Sequence, residues 1–489
     1  MRLPCVLSSP AGSKAARILR CRTQNPKPDF FLKDTLMPPK FGTSGLRGLV
    51  TELTADLVAD HVRAFIAACP VGTGLFVAQD LRPSSPAIAN MVIAAARGEG
   101  LDVTDCGDVP TPALALASMG AGAAAVMVTG SHIPADRNGL KFYVPGGEIG
   151  KADEAAILAN LARNGAGLAG TVSVNMTSGA DYVARNVAAY AGALRGKTIG
   201  VYSHSAVGRD LLLDIVAGLG ATVVELGRSA TFIPVDTEAV DPAIRAQLKV
   251  WAQEHSLDAI VSTDGDGDRP LLTDEHGEVI VGDILGQITG SALKADIAVT
   301  PVSSNTGAEA LFGKVLRTRI GSPFVIAGME EVGGRVVGYE ANGGFLLGFA
   351  ADAPAGLLAP LMTRDAVLPF VVPLAAATNG LAALVASQPP RFTAADRLQD
   401  VPTEKSLALV AAFDTDPGKR AAFLAQFDGI EAGVDRTDGL RMTLADGRIV
   451  HLRPSGNAPE CRFYAEAGSA AAAQETLTLG LTALAAALK

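Results

Sequence analysis

The chain has 489 residues, of which 48% are hydrophobic and 19% are charged, and its formal net charge is −9. This is a globular composition, with length for about three to four domains of ~100–200 residues each, and it excludes a disordered chain. The acidic balance argues against general nucleic-acid binding. The five cysteines contain no CxxC pair, which disfavours disulfides and structural zinc and favours the reducing cytoplasm. No apolar run approaches the ~20 residues that a membrane span needs.

The first 36 residues differ in charge from the rest of the chain. They hold seven Lys or Arg and two Asp, a balance of +5, which leaves −14 for the remainder. They lack the apolar core of a secretory signal and bear only a weak likeness to an Arg-rich transit peptide. Because Met37 directly precedes Pro38-Pro39-Lys40 and the first motif, we interpret residues 1–36 as a disordered or non-native extension and Met37 as the native start.

From about residue 50 to 385, short apolar runs alternate with segments of helical periodicity. The pattern predicts strands over residues 74–78, 124–128, 198–202, 222–226 and 258–262, and helices over residues 86–98, 154–163 and 209–219. Strand, crossover helix, strand is typical of parallel α/β layers. From about residue 396 the pattern changes to a smaller α+β domain. It has strands over residues 439–444, 448–452 and 463–467, a hairpin signal at Asp446-Gly447, and an Ala/Leu-rich final helix.

The most specific motif is Asp264-Gly265-Asp266-Gly267-Asp268-Arg269, which follows the predicted strand at residues 258–262. Three carboxylates at alternate positions can surround one hard cation, Mg²⁺ or Ca²⁺. An EF-hand is excluded, because Arg269 stands where its loop needs Gly and a strand precedes the loop where a helix should. Only three protein carboxylates are offered, so the cation should keep room for an outside oxygen, such as one from a phosphate.

A second loop, Thr129-Gly130-Ser131-His132-Ile133-Pro134, leaves the predicted strand at residues 124–128. A serine at a strand end can be a nucleophile or a phosphate carrier, whereas Ser-His in a turn is by itself more often a capping pair. The serine-hydrolase pattern G-x-S-x-G is absent. Lys141, ten residues further on, can deprotonate a hydroxyl or neutralise a phosphate.

Three further segments are weaker when each is taken alone. The run from Arg453 to Asn457 combines an Arg, a hydroxyl, an amide and backbone N–H groups into a candidate phosphate cradle. Glu340 and Asn342 on a Gly-rich loop can hold vicinal sugar hydroxyls, and the Gly-rich loop at residues 41–48 carries one Arg. Each of these is also readable as an ordinary turn. A P-loop-like run at residues 191–198 precedes a strand instead of following one, which excludes a nucleotide P-loop.

Taken together and in this order, the five segments resemble the α-D-phosphohexomutase family, the phosphomannomutases and phosphoglucomutases, over roughly residues 37–489. The resemblance implies an α/β fold: three related α/β domains with mixed sheets plus a smaller C-terminal α+β domain around a central cleft. We expect these domains at residues 37–188, 189–288, 289–395 and 396–489. The resemblance also implies a phosphorylated serine, one Mg²⁺ and a hexose 1,6-bisphosphate that serves as intermediate and activator.

The resemblance assigns roles residue by residue. The metal ligands are Ser131, as the phosphoserine, with Asp264, Asp266 and Asp268. The catalytic residues around the transferring phosphoryl group are Ser131, His132, Lys141 as general base, Arg47 and Arg269. The substrate-binding residues are Glu340 and Asn342 for the sugar, and Arg453, Ser455, Gly456 and Asn457 for the phosphate that is not reacting.

The implied reaction interconverts hexose 6-phosphate and hexose 1-phosphate, with a small-molecule sugar phosphate as the only partner of a monomer or homodimer. On the sugar loop, family members often have Glu-x-Ser-Gly-His, where this chain has Asn342 and Gly344. Ile133 and Asn457 also replace the usual Asn and Thr. We favour mannose as the sugar; a phosphoglucomutase or phosphoglucosamine mutase is the alternative. A non-catalytic sugar-phosphate-binding protein or a sugar phosphatase is disfavoured by the complete motif set.

Overall fold

The computed structural model of the chain describes residues 39–42, 45–455 and 459–489. The predicted extension at residues 1–36 therefore lies outside the described residues, as do Gly456 and Asn457. Within the described ranges the chain forms 24 strands and 14 α-helices, and four sheets of four or more strands follow one another along the chain. In the same ranges, no helix combines the length and the apolar character needed to cross a membrane.

The first sheet carries the serine loop. Its strands are β1 (Lys40–Phe41), β2 (Leu46–Leu49), β3 (Leu75–Gln79), β4 (Val103–Asp108), β5 (Ala124–Val128), β6 (Arg137–Val144), β7 (Gly147–Glu148) and β8 (Val172–Val174). The helices are α1 (Ala55–Ala68), α2 (Ser85–Gly98), α3 (Thr111–Gly120), α4 (Lys151–Ala159) and α5 (Ser178–Tyr190). The strand order is β1-β2-β6-β5-β3-β4-β8, with β7 beside β6. Strands β5, β3, β4 and β8 are parallel, and β6 is antiparallel to β5.

Helix α1 shows how the local sequence builds this layer. The hydroxyl of Thr54 accepts a hydrogen bond from the backbone N–H of Leu57, which caps the helix at its first turn. Val58, Val62 and Phe65 recur at helical spacing and are buried in the core of the first sheet. The helix therefore presents one apolar face to the sheet and covers one of its sides.

The second sheet carries the Asp motif. Its strands are β9 (Thr198–Tyr202), β10 (Thr222–Leu226), β11 (Ala259–Thr263) and β12 (Pro270–Leu272), and its helices are α6 (Arg209–Gly218) and α7 (Pro242–Glu254). The order is β10-β9-β11-β12, in which the first three are parallel and β12 is antiparallel. Every residue of β11 is buried, as expected for a central parallel strand that is covered on both faces.

The third sheet carries the Glu340 loop. Its strands are β13 (Ile297–Pro301), β14 (Lys314–Thr318), β15 (Val336–Tyr339), β16 (Phe345–Leu347) and β19 (Leu361–Asp365), while β17 (Ala351–Ala353) and β18 (Gly356–Leu358) form a separate hairpin. The helices are α8 (Gly282–Ala292), α9 (Ser322–Val332), α10 (Leu368–Ala376) and α11 (Leu381–Ala386). The order is β14-β13-β15-β16-β19, with β14, β13 and β15 parallel.

These three sheets share one arrangement, although no repeat is visible in the sequence. In each, three parallel strands are followed by a strand antiparallel to the third: β4-β3-β5-β6, β10-β9-β11-β12 and β14-β13-β15-β16. The turns between the last two strands of these sets span residues 129–136, 264–269 and 340–344. The serine, Asp and Glu340 motifs therefore occupy equivalent turns in three related sheets.

The C-terminal part forms a different layer. Its strands are β20 (Phe392–Leu398), β21 (Glu431–Asp435), β22 (Leu440–Leu444), β23 (Ile449–Pro454) and β24 (Cys461–Ala467), and its helices are α12 (Thr403–Thr415), α13 (Pro417–Leu424) and α14 (Ala470–Ala487). The strands are antiparallel throughout, in the order β20-β24-β23-β22-β21. The predicted α+β domain with a hairpin at β22 and β23 is confirmed.

The strands predicted at residues 124–128, 198–202 and 222–226 are observed with the same bounds. The strands predicted at residues 74–78 and 258–262 begin and end one residue later in the structure. The helix predicted over residues 154–163 instead begins at Lys151, because the Asp153 carboxylate accepts the Gly150 N–H and caps an earlier turn. The predicted domain boundaries at residues 188, 288 and 395 cut α5, α8 and β20. We propose four domains divided at the ends of these elements, because each sheet is one continuous stretch of chain.

Candidate active site

The turn between β5 and β6 places Ser131 in a buried cluster. Its φ of 56° is left-handed, a conformation that residues other than glycine rarely adopt and that is concentrated at functional sites. Its Oγ lies 2.5 Å from Oδ2 of Asp264 and 3.3 Å from Nδ1 of His132. Its backbone N–H donates to the hydroxyl of Thr129 at 2.8 Å. The backbone of the turn thus directs the serine hydroxyl towards the Asp motif.

A buried ion pair of Asp80 and Arg82 supports this turn. Arg82 donates to three carbonyl oxygens of the loop, those of Ser131, Ile133 and Pro134, and to that of Arg137, the first residue of β6. Asp80 accepts from Nε of Arg82 at 3.1 Å and from the hydroxyl of Thr129 at 2.7 Å. A Cβ at Gly130 would lie 2.7 Å from Cζ of Arg82, so a glycine here leaves space for the guanidinium. The conformation of the serine turn therefore depends on a neighbouring strand end.

The turn between β11 and β12 gathers three buried carboxylates. One oxygen from each of Asp264, Asp266 and Asp268 lies within 4.8 Å of the others. In the described part of the chain, Oδ1 of Asp266 and Oδ1 of Asp268 have no hydrogen-bond partner. Buried carboxylate oxygens without partners are costly, and a hard divalent cation with oxygen ligands would satisfy them. The residues present therefore fit a divalent cation.

The second oxygens of these carboxylates are bound by donors. Nζ of Lys141 lies 2.5 Å from Oδ2 of both Asp266 and Asp268, and the hydroxyl of Thr111 donates to Asp266 at 2.6 Å. Burial works to raise the pKa of Asp266, but Lys141 and Thr111 outweigh it and lower that pKa below its usual range. Burial, together with the neighbouring Asp charges, raises the pKa of Asp264 well above its usual range. A bound cation would offset the repulsion between carboxylates that adds to the effect of burial in this second shift.

Positive charge concentrates beside the serine. Nη1 of Arg269 donates to Nδ1 of His132 at 2.9 Å. Burial and the charges of Arg269 and Arg47 lower the pKa of His132 to about 2, which keeps the imidazole neutral. Burial and the charge of Arg269 lower the pKa of Arg47, on β2, to about 10. These mutually repelling cations suit an anion such as a phosphoryl group.

Glu340 and Asn342 lie on the equivalent turn of the third sheet, and both are buried. Oδ1 of Asn342 accepts from the N–H of Gly344 at 3.0 Å, and Nδ2 of Asn342 lies 3.5 Å from Oε2 of Glu340. The hydroxyl of Thr237, in the second-sheet segment, donates to the carbonyl oxygen of Asn342 at 3.0 Å. A Cβ at Gly344 would lie 2.8 Å from Cδ of Arg364. At the position where the resemblance expects a histidine, an arginine side chain thus fills the neighbouring space.

The predicted phosphate loop lies at the end of β23. Nε of Arg453 donates to Oδ2 of Asp438 at 2.9 Å, and the same oxygen accepts the N–H of Ile320, from the third-sheet segment, at 3.0 Å. The N–H of Ser455 donates to the carbonyl oxygen of Glu460 at 3.0 Å. Gly456 and Asn457 lie outside the described residues. Through Asp438, the arginine of this loop is therefore linked to the third sheet.

Comparison with known proteins identifies the family. Models of the family described as Phosphoglucomutase/phosphomannomutase match residues 38–168 as alpha/beta/alpha domain I, residues 277–392 as alpha/beta/alpha domain III and residues 411–478 as the C-terminal domain. A phosphomannomutase of Sinorhizobium fredii is 45% identical over 471 residues, which cover 92% of this chain and 99% of that protein. The chain belongs to the phosphoglucomutase/phosphomannomutase family.

Two further comparisons agree. A phosphomannomutase of Salmonella muenchen is 43% identical over 439 residues, covering 88% of this chain and 92% of that protein. A solved structure of a phosphoglucomutase/phosphomannomutase family protein from Burkholderia thailandensis has a TM-score of 0.72 at 23% identity, covering 91% of this chain and 97% of that one. The family and the fold predicted from the motifs are confirmed.

The sequence motifs did not reveal several residues at the site of this phosphoglucomutase/phosphomannomutase family member. Thr111, Glu148 and Arg364 reach the cluster only through tertiary contacts, and no sequence pattern marks them. Asp80 and Arg82 had a usable signal, because they directly follow the apolar strand β3 as the serine and Asp motifs follow β5 and β11. Charged residues immediately after a buried parallel strand lie at the edge where ligands bind in α/β folds.

Proposed function

We propose that this protein is a phosphohexomutase that interconverts hexose 6-phosphate and hexose 1-phosphate, with mannose as the preferred sugar. The observation that carries the proposal is the 2.5 Å contact between Oγ of Ser131 and Oδ2 of Asp264, inside a carboxylate cluster that fits a cation. A protein that only binds sugar phosphates has no need of a hydroxyl there, whereas a phosphate carrier requires it. The preference for mannose rests on the two phosphomannomutase relatives at 45% and 43% identity.

In the proposed reaction Ser131 carries the phosphoryl group. A sugar hydroxyl oxygen bonds to phosphorus, the bond between phosphorus and Oγ of Ser131 breaks, and the hydroxyl proton passes to Lys141. The arginines Arg47 and Arg269 offset charge on the transferring group. Asp264, Asp266 and Asp268 would hold Mg²⁺ together with an oxygen of the phosphoserine. The bound cation would supply positive charge that stabilises the transferring phosphoryl group.

The product of this half-reaction is a hexose 1,6-bisphosphate, which must turn round and return its other phosphate to Ser131. Glu340 and Asn342 would hold sugar hydroxyls in both orientations. Arg453, Ser455, Gly456 and Asn457 would bind the phosphate that is not reacting. Added bisphosphate would act as the activator, because it restores phosphoserine whenever the intermediate escapes.

A coupled mutase assay with mannose 1-phosphate, glucose 1-phosphate and glucosamine 1-phosphate, with and without hexose 1,6-bisphosphate, tests the proposal. We expect the highest kcat/KM with mannose 1-phosphate and activation by the bisphosphate. Preference for another sugar would overturn the choice of mannose. Release of inorganic phosphate without isomerisation would identify a phosphatase, and binding without turnover would identify a sugar-phosphate-binding protein.

A further inference from the structure

Arg364, in β19, joins carboxylates from three segments of the chain. Its Nη2 lies 2.8 Å from Oδ2 of Asp268, and its Nη1 lies 3.4 Å from Oε2 of Glu340. Nη2 is also 4.0 Å from Oε1 of Glu148. Glu148 belongs to β7 of the first sheet, whereas Asp268 and Glu340 belong to the equivalent turns of the second and third sheets. One side chain therefore links the metal turn to the sugar turn.

The linkage is electrostatic and buried. Arg364 is 3% exposed, and Glu148, Asp268 and Glu340 are 7%, 0% and 4% exposed. Burial works to lower the pKa of Arg364, but the three carboxylates outweigh it and raise that pKa well above its usual range. Solvent screens such pairs little, so a change at one carboxylate alters how strongly the guanidinium acts on the others.

The path of the Arg364 side chain depends on the sugar turn itself. A Cβ at Gly344 would lie 2.8 Å from Cδ and 3.0 Å from Cγ of Arg364. Both distances are too short for carbon atoms in contact, so any side chain at this position would displace the arginine. The backbone of the turn and its Glu340 carboxylate thus both set where the guanidinium lies.

We propose that Arg364 is a positioning residue that couples the sugar-recognition turn to the metal turn. The carboxylate of Glu340 shares the guanidinium with Asp268 and so limits how strongly Arg364 competes with a cation for Asp268. When Glu340 binds a sugar, its interaction with the guanidinium of Arg364 changes. The interaction of Arg364 with the metal ligand Asp268 then changes as well. The use of this coupling rests on the proposed mutase function, whereas the coupling itself is a property of these residues.

A double-mutant cycle on metal affinity tests the coupling without turnover. The probe is Mn²⁺, titrated into the full chain without substrate and followed by water-proton relaxation. In the parent, Glu340→Gln lets the guanidinium act fully on Asp268, so we expect about tenfold weaker Mn²⁺ binding. In Arg364→Met, Glu340→Gln should weaken binding by about twofold or less. Equal effects of Glu340→Gln in both backgrounds would overturn the proposal.

Glu238→Gln is the matched control for loss of charge. Glu238 lies at an exposed position of the second-sheet segment, so the variant removes one carboxylate charge outside the buried cluster that contacts Arg364. Its effect on Mn²⁺ affinity should be the same whether residue 364 is Arg or Met. If Glu238→Gln depends on Arg364 as strongly as Glu340→Gln does, the coupling is a general field effect and the proposal fails.

Arg364→Met leaves three buried carboxylates short of a cation, so a second variant avoids dependence on its folding. Gly344→Ala displaces Arg364 and keeps every charge; it should reduce the effect of Glu340→Gln to about threefold or less. Gly146→Ala is its control, because a Cβ at Gly146 meets no heavy atom within 4 Å, and the full effect should remain. A full tenfold effect in Gly344→Ala would overturn the proposal. If the coupling is observed but the protein has no mutase turnover, only the proposed function is overturned. If turnover is observed without the coupling, only this inference is overturned.

Discussion

The turns of the first three sheets and the loop of the C-terminal domain both offer charged groups to a sugar phosphate, but they are built differently. Around Ser131, the side chain of Lys141 is 3% exposed and lies 2.5 Å from two carboxylates. In the C-terminal domain, the side chain of Arg453 is 16% exposed and, among the described residues, forms an ion pair with the carboxylate of Asp438. The comparison teaches that charged side chains are buried and fixed by several contacts near Ser131, where bonds are proposed to form and break. They are more exposed in the C-terminal loop, where a phosphate is proposed only to bind.

The largest effect should come from Ser131→Ala. Without the hydroxyl no phosphoserine can form, so turnover should fall to the background of the assay. Intact-mass measurement of the active parent should show an addition of ~80 Da that is absent in the variant. Ser118→Ala, a buried serine of α3, is the control and should keep activity. Fully active parent that never carries the added mass would refute the phosphate-carrier role.

Asp266→Asn should come next. The amide keeps the shape of the side chain but removes one charge from the cation site, so kcat should fall by about 100-fold or more with a smaller change in KM. Excess Mg²⁺ should restore only part of the activity. Asp352→Asn, at an exposed position of β17, should leave kcat unchanged. Full activity of the parent in the presence of a metal chelator would contradict the cation assignment.

Arg453→Lys should affect binding more than chemistry. Lysine keeps the charge but loses the planar fork, so substrate affinity should fall by about 1.5–3 kcal/mol, and more hexose 1,6-bisphosphate should be needed to keep Ser131 phosphorylated. Steady-state KM and the bisphosphate requirement are the measurements. Arg436→Lys, at an exposed position of the same domain, is the control. If kcat falls as much as in Asp266→Asn, the hypothesis that Arg453 acts in substrate binding and not in the chemical step is wrong.

Asp438→Asn should have a smaller effect. Arg453 remains but loses its charged anchor, and the N–H of Ile320 keeps a neutral acceptor, so KM should rise by about three- to tenfold. A larger rise than in Arg453→Lys would mean that Asp438 does more than hold the arginine.

The smallest expected change is in the ionisation of two histidines, His451, which is buried, and His132, which is partly buried. Burial lowers the pKa of His451, in the C-terminal domain, to about 4, and burial with Arg269 and Arg47 lowers that of His132 to about 2. Both should stay neutral between about pH 8 and pH 5 in NMR titrations of the metal-free protein. Because the unfolded histidines bind protons below about pH 6.5, they contribute stability that is lost as the pH falls below that value. A midpoint near 6.5 for His132 would show that it is not enclosed by the cluster.

Local patterns in the sequence predicted the named strands and helices to within a few residues, together with the motifs on their turns. Strands such as β5, β9 and β10 are apolar runs bounded by turn residues, and that signal depends only on neighbours in the chain. The Asp motif was recognisable because its ligand spacing is also local. Helix and strand ends, such as the start of α4, were less predictable, since a single capping side chain shifts them by several residues.

What remained hidden depends on contacts between distant residues. The three turns are equivalent because the strand order around them is the same. Different sequences can form the same strand order, so no sequence repeat reveals this equivalence. Ser131 meets Asp264 across 133 positions of the chain, and Arg364 meets Asp268 and Glu340 only because three sheets bring their turns together. The sequence alone therefore determined the elements, the reactive residue types and the family. Only the tertiary structure decided which charges share a buried space, because buried pairing depends on distances that neighbours in the chain do not set.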